Sequence, residues 1–193
     1  MRIAIIGAGP AGLAAAKIIS KKSQVVVFEK NSDAGKKLLL TGSGRCNIGN
    51  TNNDLSKYHS SNNELIKKII NNKNLDKVNN FFKEIGLVLK DKNNYLYPYS
   101  EKSSSVLSCL KSSLDVDFRF NTYIANIKRK DDKFIINGEV FDKVIITTGG
   151  LSYPKTGSTG EGFHLAKTFG HKVTNLNPSL MALETNTGLE KEW

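Results

Sequence analysis

Cysteine is scarce in this sequence: Cys46 and Cys109 stand far apart, belong to no C-x-x-C pair, and have no other cysteine for company. That argues against a redox-active disulfide of the thioredoxin-reductase kind and against a zinc site, and no metal site is expected. Cys109, among Val106, Leu107 and Leu110, reads as a buried inert thiol, whereas Cys46 lies in a glycine-rich loop. Long apolar runs are missing too. The best stretch, Ala11 to Ile19, is broken by Lys17 and followed by Lys21 and Lys22, well short of the roughly 20 residues that span a bilayer. Only Arg2 precedes the first apolar run and glycines stand where a cleavage region would, so no secretory signal and a cytoplasmic location are expected. Arginine is the third shortage. The net charge of +10 comes from twenty-four lysines and only four arginines. The lysines are scattered and not interleaved with aromatics, which favours a solvated surface over a nucleic-acid partner.

What remains is a globular composition, 39% hydrophobic and 24% charged, sufficient for one well-buried core. Arg2 to Ile6 is a short apolar run that reads as a buried parallel strand. A tight turn follows from Gly7 to Gly12, then a helix from Leu13 to Ser20 and a second buried strand from Val25 to Phe28, stopping on Glu29. This is a βαβ opening. The connection from Asn31 to Asn53 is rich in glycine, serine, asparagine and lysine, with a short helical stretch near Lys36 to Leu40; loops of such length usually carry function. Apolar spacing predicts helices over Asn62 to Ile70, Leu75 to Ile85 and Ser103 to Leu114, and Tyr95 to Tyr99 reads as a turn.

Then the period changes to two. Val116 to Phe120, Tyr123 to Ile127, Phe134 to Ile136 and Val140-Phe141 read as short antiparallel strands of a β-meander, with turns at Lys130 to Asp132 and at Asn137-Gly138. A buried strand from Lys143 to Thr148 ends at Gly149-Gly150, and a helix from Glu161 to Phe169 is opened by Gly157 to Gly160. The expected fold class is α/β, a parallel sheet with helices on one face and a β-meander on the other. Residues 1–174 are expected to form this domain and 175–193 to begin a second, incomplete one.

Gly7, Gly9 and Gly12 satisfy G-x-G-x-x-G directly after a strand and at a helix start, the context that makes the pattern a dinucleotide fingerprint. Gly7 allows the tight turn, Gly9 lets backbone N–H groups reach a pyrophosphate, and Gly12 lets the helix pack on the strand. Glu29, at the end of the second strand, is placed to accept hydrogen bonds from the ribose hydroxyls of an adenosine. It would also repel a 2′-phosphate, which disfavours NADP here. The fingerprint alone does not separate NAD from FAD. Two later features favour FAD: the basic loop from Gly35 to Asn47 beside the phosphate site, and the meander leading into Thr147-Thr148-Gly149-Gly150, where an NAD dehydrogenase would continue with further βα units.

The segments GAGPAGLAAA, GKKLLLTGSGRCNI and TTGGLSYPKTGSTGEGFHLAKTFGH closely resemble the bacterial BaiN-type NAD(P)/FAD-dependent oxidoreductases, also called aminoacetone-oxidase-family flavoproteins. The likeness runs from Arg2 to about Leu183. It implies a glutathione-reductase-like FAD-binding fold into which a second domain is inserted, lacking here the C-terminal segment that closes the site around the isoalloxazine ring. The resemblance puts Ala8, Gly9, Pro10 and Ala11 on the FAD pyrophosphate, with Glu29 and Lys30 around the adenosine ribose. Lys37, Arg45 and Asn47 would line the phosphate and ribityl side. Ile124, in the first meander strand, would offer its backbone to the adenine, and Thr148 with Gly149 would flank the cofactor.

The implied activity is hydride transfer through flavin N5, between NAD(P)H or a small organic substrate and an unsaturated acceptor or oxygen. Tyr153 to Gly162 is either a substrate or nicotinamide contact or a structural loop, and His164 and His171 read as helix-surface and helix-end residues. No catalytic residue is named. Two other readings stay open, a non-catalytic nucleotide-binding fragment and an RNA-associated flavoprotein.

Overall fold

The computed structural model describes residues 1–52, 54–60 and 62–177; the start of a second domain expected over 175–193 lies almost wholly outside the described residues. The first half of the chain carries β1 (Arg2–Ile6), α1 (Pro10–Ile19), β2 (Gln24–Phe28), β3 (Gly49–Asn50), α2 (Asn63–Ile69) and α3 (Asn72–Glu84). β4 (Leu89–Lys92), β5 (Tyr95–Pro98), α4 (Ser103–Ser112) and β6 (Asp117–Arg119) follow. The described part closes with β7 (Lys128–Lys130), β8 (Lys133–Ile136), β9 (Glu139–Phe141), β10 (Lys143–Ile146) and α5 (Glu161–Thr168).

The central sheet has the order β10-β1-β2-β6 and is parallel throughout. Its strands are apolar on both faces because both faces are covered. Alternation sends Ile5, Val25 and Val27 to one side, where they pack with Leu13 and Ala16 of α1 and with Val106, Leu107 and Leu110 of α4. Ala4, Ile6, Val26 and Phe28 face the other side, against Ile127 just before the meander, Ile136 and Phe141 within it and Leu165 of α5. Helices on one face and a meander on the other is the layering the sequence predicts.

Three details differ from expectation. Val116 to Phe120 is not a meander strand: its core, β6, extends the parallel sheet beside β2, with Val27 opposite Phe118. Tyr123 to Ile127 is not a strand at all but a connection, pinned where the Thr122 N–H donates to the Glu29 carbonyl at 2.8 Å. Period two signals an extended segment but not the sheet it joins, and β2 offered β6 a free parallel edge. The meander proper is β7-β8-β9, turned at Asn137 and Gly138, both at positive φ. Third, Tyr95–Pro98 is a strand, the centre of a small antiparallel sheet β3-β5-β4. Asn93 and Asn94 both adopt positive φ between the paired Lys92 and Tyr95, which is the hairpin geometry that two asparagines accommodate.

A charged cluster ties the sheet's far edge to the meander. Glu139 of β9 accepts from Arg2 of β1 at 2.5 Å and from Arg119 of β6. Arg119 foremost, then Arg2, hold its carboxyl below the usual carboxylate range. A lowered folded-state pKa adds stability above the unfolded value near 4.3, and this is lost as pH falls through the folded value. Glu139→Gln is therefore expected to lower Tm at pH 7 by about 1–3 °C, the size of an exposed ion-pair cluster. The difference should vanish towards pH 3 in melting curves taken across pH.

Candidate functional site

The glycine-rich turn is set by the ends of three neighbouring strands. The Gly7 N–H donates to the Phe28 carbonyl at 2.8 Å. From β10's end, the Thr147 hydroxyl donates to the Gly7 carbonyl at 2.8 Å, with the Ile6 carbonyl 3.0 Å away. Gly7 holds φ +102°, and a Cβ there would meet the Thr147 carbonyl oxygen at 2.6 Å. Beyond the turn, α1 starts with Gly9 as its N-cap and Pro10 at its first position, and no side chain caps it. Its first-turn N–H groups and positive dipole end therefore open onto whatever lies in front.

In front lies a cavity of about 450 Å³, within the range of small-ligand sites. Gly9, Pro10 and Ala11 line it together with Glu29, Lys30 and Asn31, and Ile6, Phe28 and Ile146 add apolar surface. A Cβ on Gly9 would find no protein atom within 4 Å. Glu29 is 8% exposed. Its Oε2 accepts from the Ala8 N–H at 2.8 Å, while Oε1 accepts from the Asn31 N–H at 2.9 Å and the Asn31 amide at 2.8 Å. The carboxylate is thus locked at the strand end, with a lone pair of Oε2 unused.

Ten of the fourteen residues named from the sequence line this one cavity: Gly7, Gly9, Pro10, Ala11, Glu29, Lys30, Lys37, Ile124, Thr148 and Gly149. Ala8 and Gly12 are buried beneath the turn and shape it from behind. Ile124 reaches the wall from the connection before β7, not from a strand. Lys37 extends towards Gly149, where an added Cβ would come within 4.0 Å of its Nζ. Arg45 and Asn47 do not line the cavity. Their loop follows a short helical stretch that breaks at Thr41, with Gly42 and Ser43 at positive φ, and the exposed Arg45 guanidinium lies 5.5 Å from the Tyr97 ring, on the small sheet. Cys46 beside it is buried, and burial pushes its thiol up.

The sequence did not single out Asn31, and it included Thr156 and Glu161 only as part of the segment from Tyr153 to Gly162; all three line the cavity. Lys30 pairs with Glu161 and donates to the Thr159 hydroxyl at 3.1 Å. Burial pushes the Glu161 carboxyl up, yet hydrogen bonds from Lys30 and Thr159 outweigh it and hold it below the usual carboxylate range. Asn31 is legible in hindsight, two residues past the strand-end acid. Glu161 looked like an ordinary acid in the first turn of a helix.

Residues 1–190 match the family described as HI0933-like protein Rossmann domain. The chain belongs to this family. The HI0933-like chain is 33% identical over 193 residues to a 3-dehydro-bile acid delta(4,6)-reductase of Clostridium scindens, covering 95% of the chain and 47% of that protein. It is 30% identical over 190 residues to a ribosomal RNA dihydrouridine synthase of Haemophilus influenzae, covering 92% of the chain and 47% of that protein. The chain spans about half the length of the relatives it matches. Among solved structures, the open conformation of a flavocytochrome c3 fumarate reductase superposes with a TM-score of 0.58 at 17% identity, over 86% of this chain and 40% of that one. That likeness is one of fold. Among the described residues of the HI0933-like chain, no helix is long and apolar enough to cross a membrane, and no three His, Cys, Asp or Glu side chains gather as metal ligands.

Proposed function

We propose that this chain is the FAD-binding half of an oxidoreductase that reduces an unsaturated small molecule with electrons from NAD(P)H. The observation that carries this reading is the cavity itself. An uncapped helix N-terminus with open space in front of Gly9 and an anchored carboxylate, Glu29, both line it. A dinucleotide needs that pairing, with partial positive charge for its pyrophosphate and a fixed acceptor for its ribose hydroxyls.

In this reading the first turn of α1 and the Lys37 ammonium balance the pyrophosphate charge. Glu29 orients the adenosine ribose, and Ile6, Phe28 and Ile146 exclude water beside it. The flavin, when bound, supplies hydride chemistry at N5. The names of the relatives support an unsaturated acceptor, because a delta(4,6)-reductase and a dihydrouridine synthase both reduce a ring double bond.

Titrating the chain with FAD is expected to give shifted, structured flavin absorption, and anaerobic NADH or NADPH to bleach it. Unperturbed FAD spectra at saturating protein would overturn the assignment of the cavity. A second reading has a specific basis, since two relatives are named ribosomal RNA dihydrouridine synthases and the net charge is +10: the unsaturated substrate is then a uracil in RNA. Binding of a ribosomal RNA fragment that weakens steeply with salt would favour it. No binding at moderate salt would leave the small-molecule substrate.

A further inference from the structure

Two aromatic side chains line the cavity, Phe28 and Tyr123. Phe28 is 1% exposed and its ring is already engaged. It meets Phe141 edge-to-face with centroids 5.9 Å apart, and the Arg119 guanidinium lies 5.5 Å from it. Tyr123 is the opposite case. It is 57% exposed, and among the described residues it has no hydrogen bond, ring partner or cation. An amphipathic ring left open at the edge of a cavity offers its face to a flat ligand.

The backbone fixes where that ring stands. After β6 the chain is tied twice to the end of β2: the Asn121 N–H donates to the Asn31 carbonyl at 2.9 Å, and the Thr122 N–H to the Glu29 carbonyl at 2.8 Å. Tyr123 comes next, followed by the buried Ile124, so the tyrosine is held between two anchors beside the strand-end acid. Glu29 is the acceptor for a ribose in the reading above. A base is bonded directly to that ribose, so a base whose sugar sits on Glu29 lies within reach of Tyr123. Adenine is flat and uncharged, and what it gains most from is cover for its π-face. Of the two rings lining the cavity, only Tyr123 has a face to give.

We propose that Tyr123 is the stacking platform for the base of the dinucleotide and sets much of its affinity. The inference rests on the dinucleotide reading above. Stacking covers the face of any base, so Tyr123 adds affinity without choosing between adenine and its relatives.

ADP-ribose and its hypoxanthine counterpart are titrated into the wild-type chain, Tyr123→Ala and Tyr123→Phe. The alanine variant is expected to bind both ligands about tenfold more weakly, the weight of one base–aromatic stack. The phenylalanine variant keeps the ring and is expected to bind like the wild type. Unchanged binding by the alanine variant overturns the proposal. So does a phenylalanine variant as weak as the alanine one, which would assign the effect to the hydroxyl, and so does a loss confined to the adenine ligand.

The ligand-free Tm should hold in both variants, because the side chain is mostly in water. Should Tyr123→Ala melt early, Tyr123→Leu decides, since it keeps apolar bulk without a flat face: weaker binding supports the stack and wild-type binding overturns it. A wild-type chain that takes ADP-ribose but not FAD would sink the flavin assignment, while the ratios on ADP-ribose still test Tyr123. If the wild type binds neither, the dinucleotide reading falls and the stack with it.

Discussion

Replacing Gly9 with valine is expected to abolish FAD binding at micromolar protein while leaving the ligand-free fold intact. The backbone there has φ −75° and ψ −179°, extended values that any residue adopts. An added Cβ meets no protein atom within 4 Å. Nothing in the fold therefore requires glycine at this position. In the proposed complex the same space belongs to the pyrophosphate, and a branched side chain would hold it off the α1 N-terminus. Overpacking of a close contact costs about 1–3 kcal/mol, so affinity should fall by about a hundredfold near the upper end of that range. Melting curves with and without FAD separate the two effects. A ligand-free Tm that drops with the affinity would show that Gly9 serves the fold and not the ligand.

The companion change, Gly12→Ala, should do the reverse. Its Cβ would lie 2.0 Å from the Gly7 carbonyl oxygen and 2.8 Å from Thr147 Oγ1. The first of these is backbone already held by the Thr147 hydroxyl, so relief requires α1 to move off β1. A loss of about 3 kcal/mol, or roughly 10 °C in Tm, is expected for a domain of this size. Loss of binding would follow only because the turn has shifted. A variant as stable as the wild type would mean that the α1–β1 contact is looser than the structure has it.

These two glycines show how much the sequence made legible and where it stopped. The fingerprint identified both, and its context after an apolar run placed them correctly at the start of α1. It assigned Gly12 to packing, and a Cβ there would indeed meet the Gly7 carbonyl oxygen, whereas the space at Gly9 is open. The strand-end Glu29 was equally readable, because a buried strand that stops on an acid leaves that acid at the mouth of the fold.

Elsewhere the sequence carried too little. β6 alternates like a meander strand, and only the free edge of β2 decides which sheet takes it. Asn93-Asn94 marked a hairpin that the tyrosines and Pro98 obscured. The loop with Arg45 and Asn47 was recognisable as distinctive, but the approach of Arg45 to Tyr97 of the small sheet was not readable. Glu161 was read only as part of the segment from Tyr153 to Gly162, because an acid in the first turn of a helix is commonplace; its pairing with Lys30 exists only in three dimensions.

The Thr147 clamp on the Gly7 turn also bears on how the protein is made. Gly7 leaves the ribosome early, but the hydroxyl that fixes its carbonyl lies 140 residues later, and so does the strand that completes the edge of β1, with Ile3 opposite Lys143. Until that length has been synthesised, β1 carries an open edge of unpaired backbone N–H and C=O groups between apolar side chains, a pairing hazard that chaperones commonly shield. Contacts so distant along the chain also slow folding. The glycine turn, first in the sequence, is thus among the last parts of the domain to acquire its final shape.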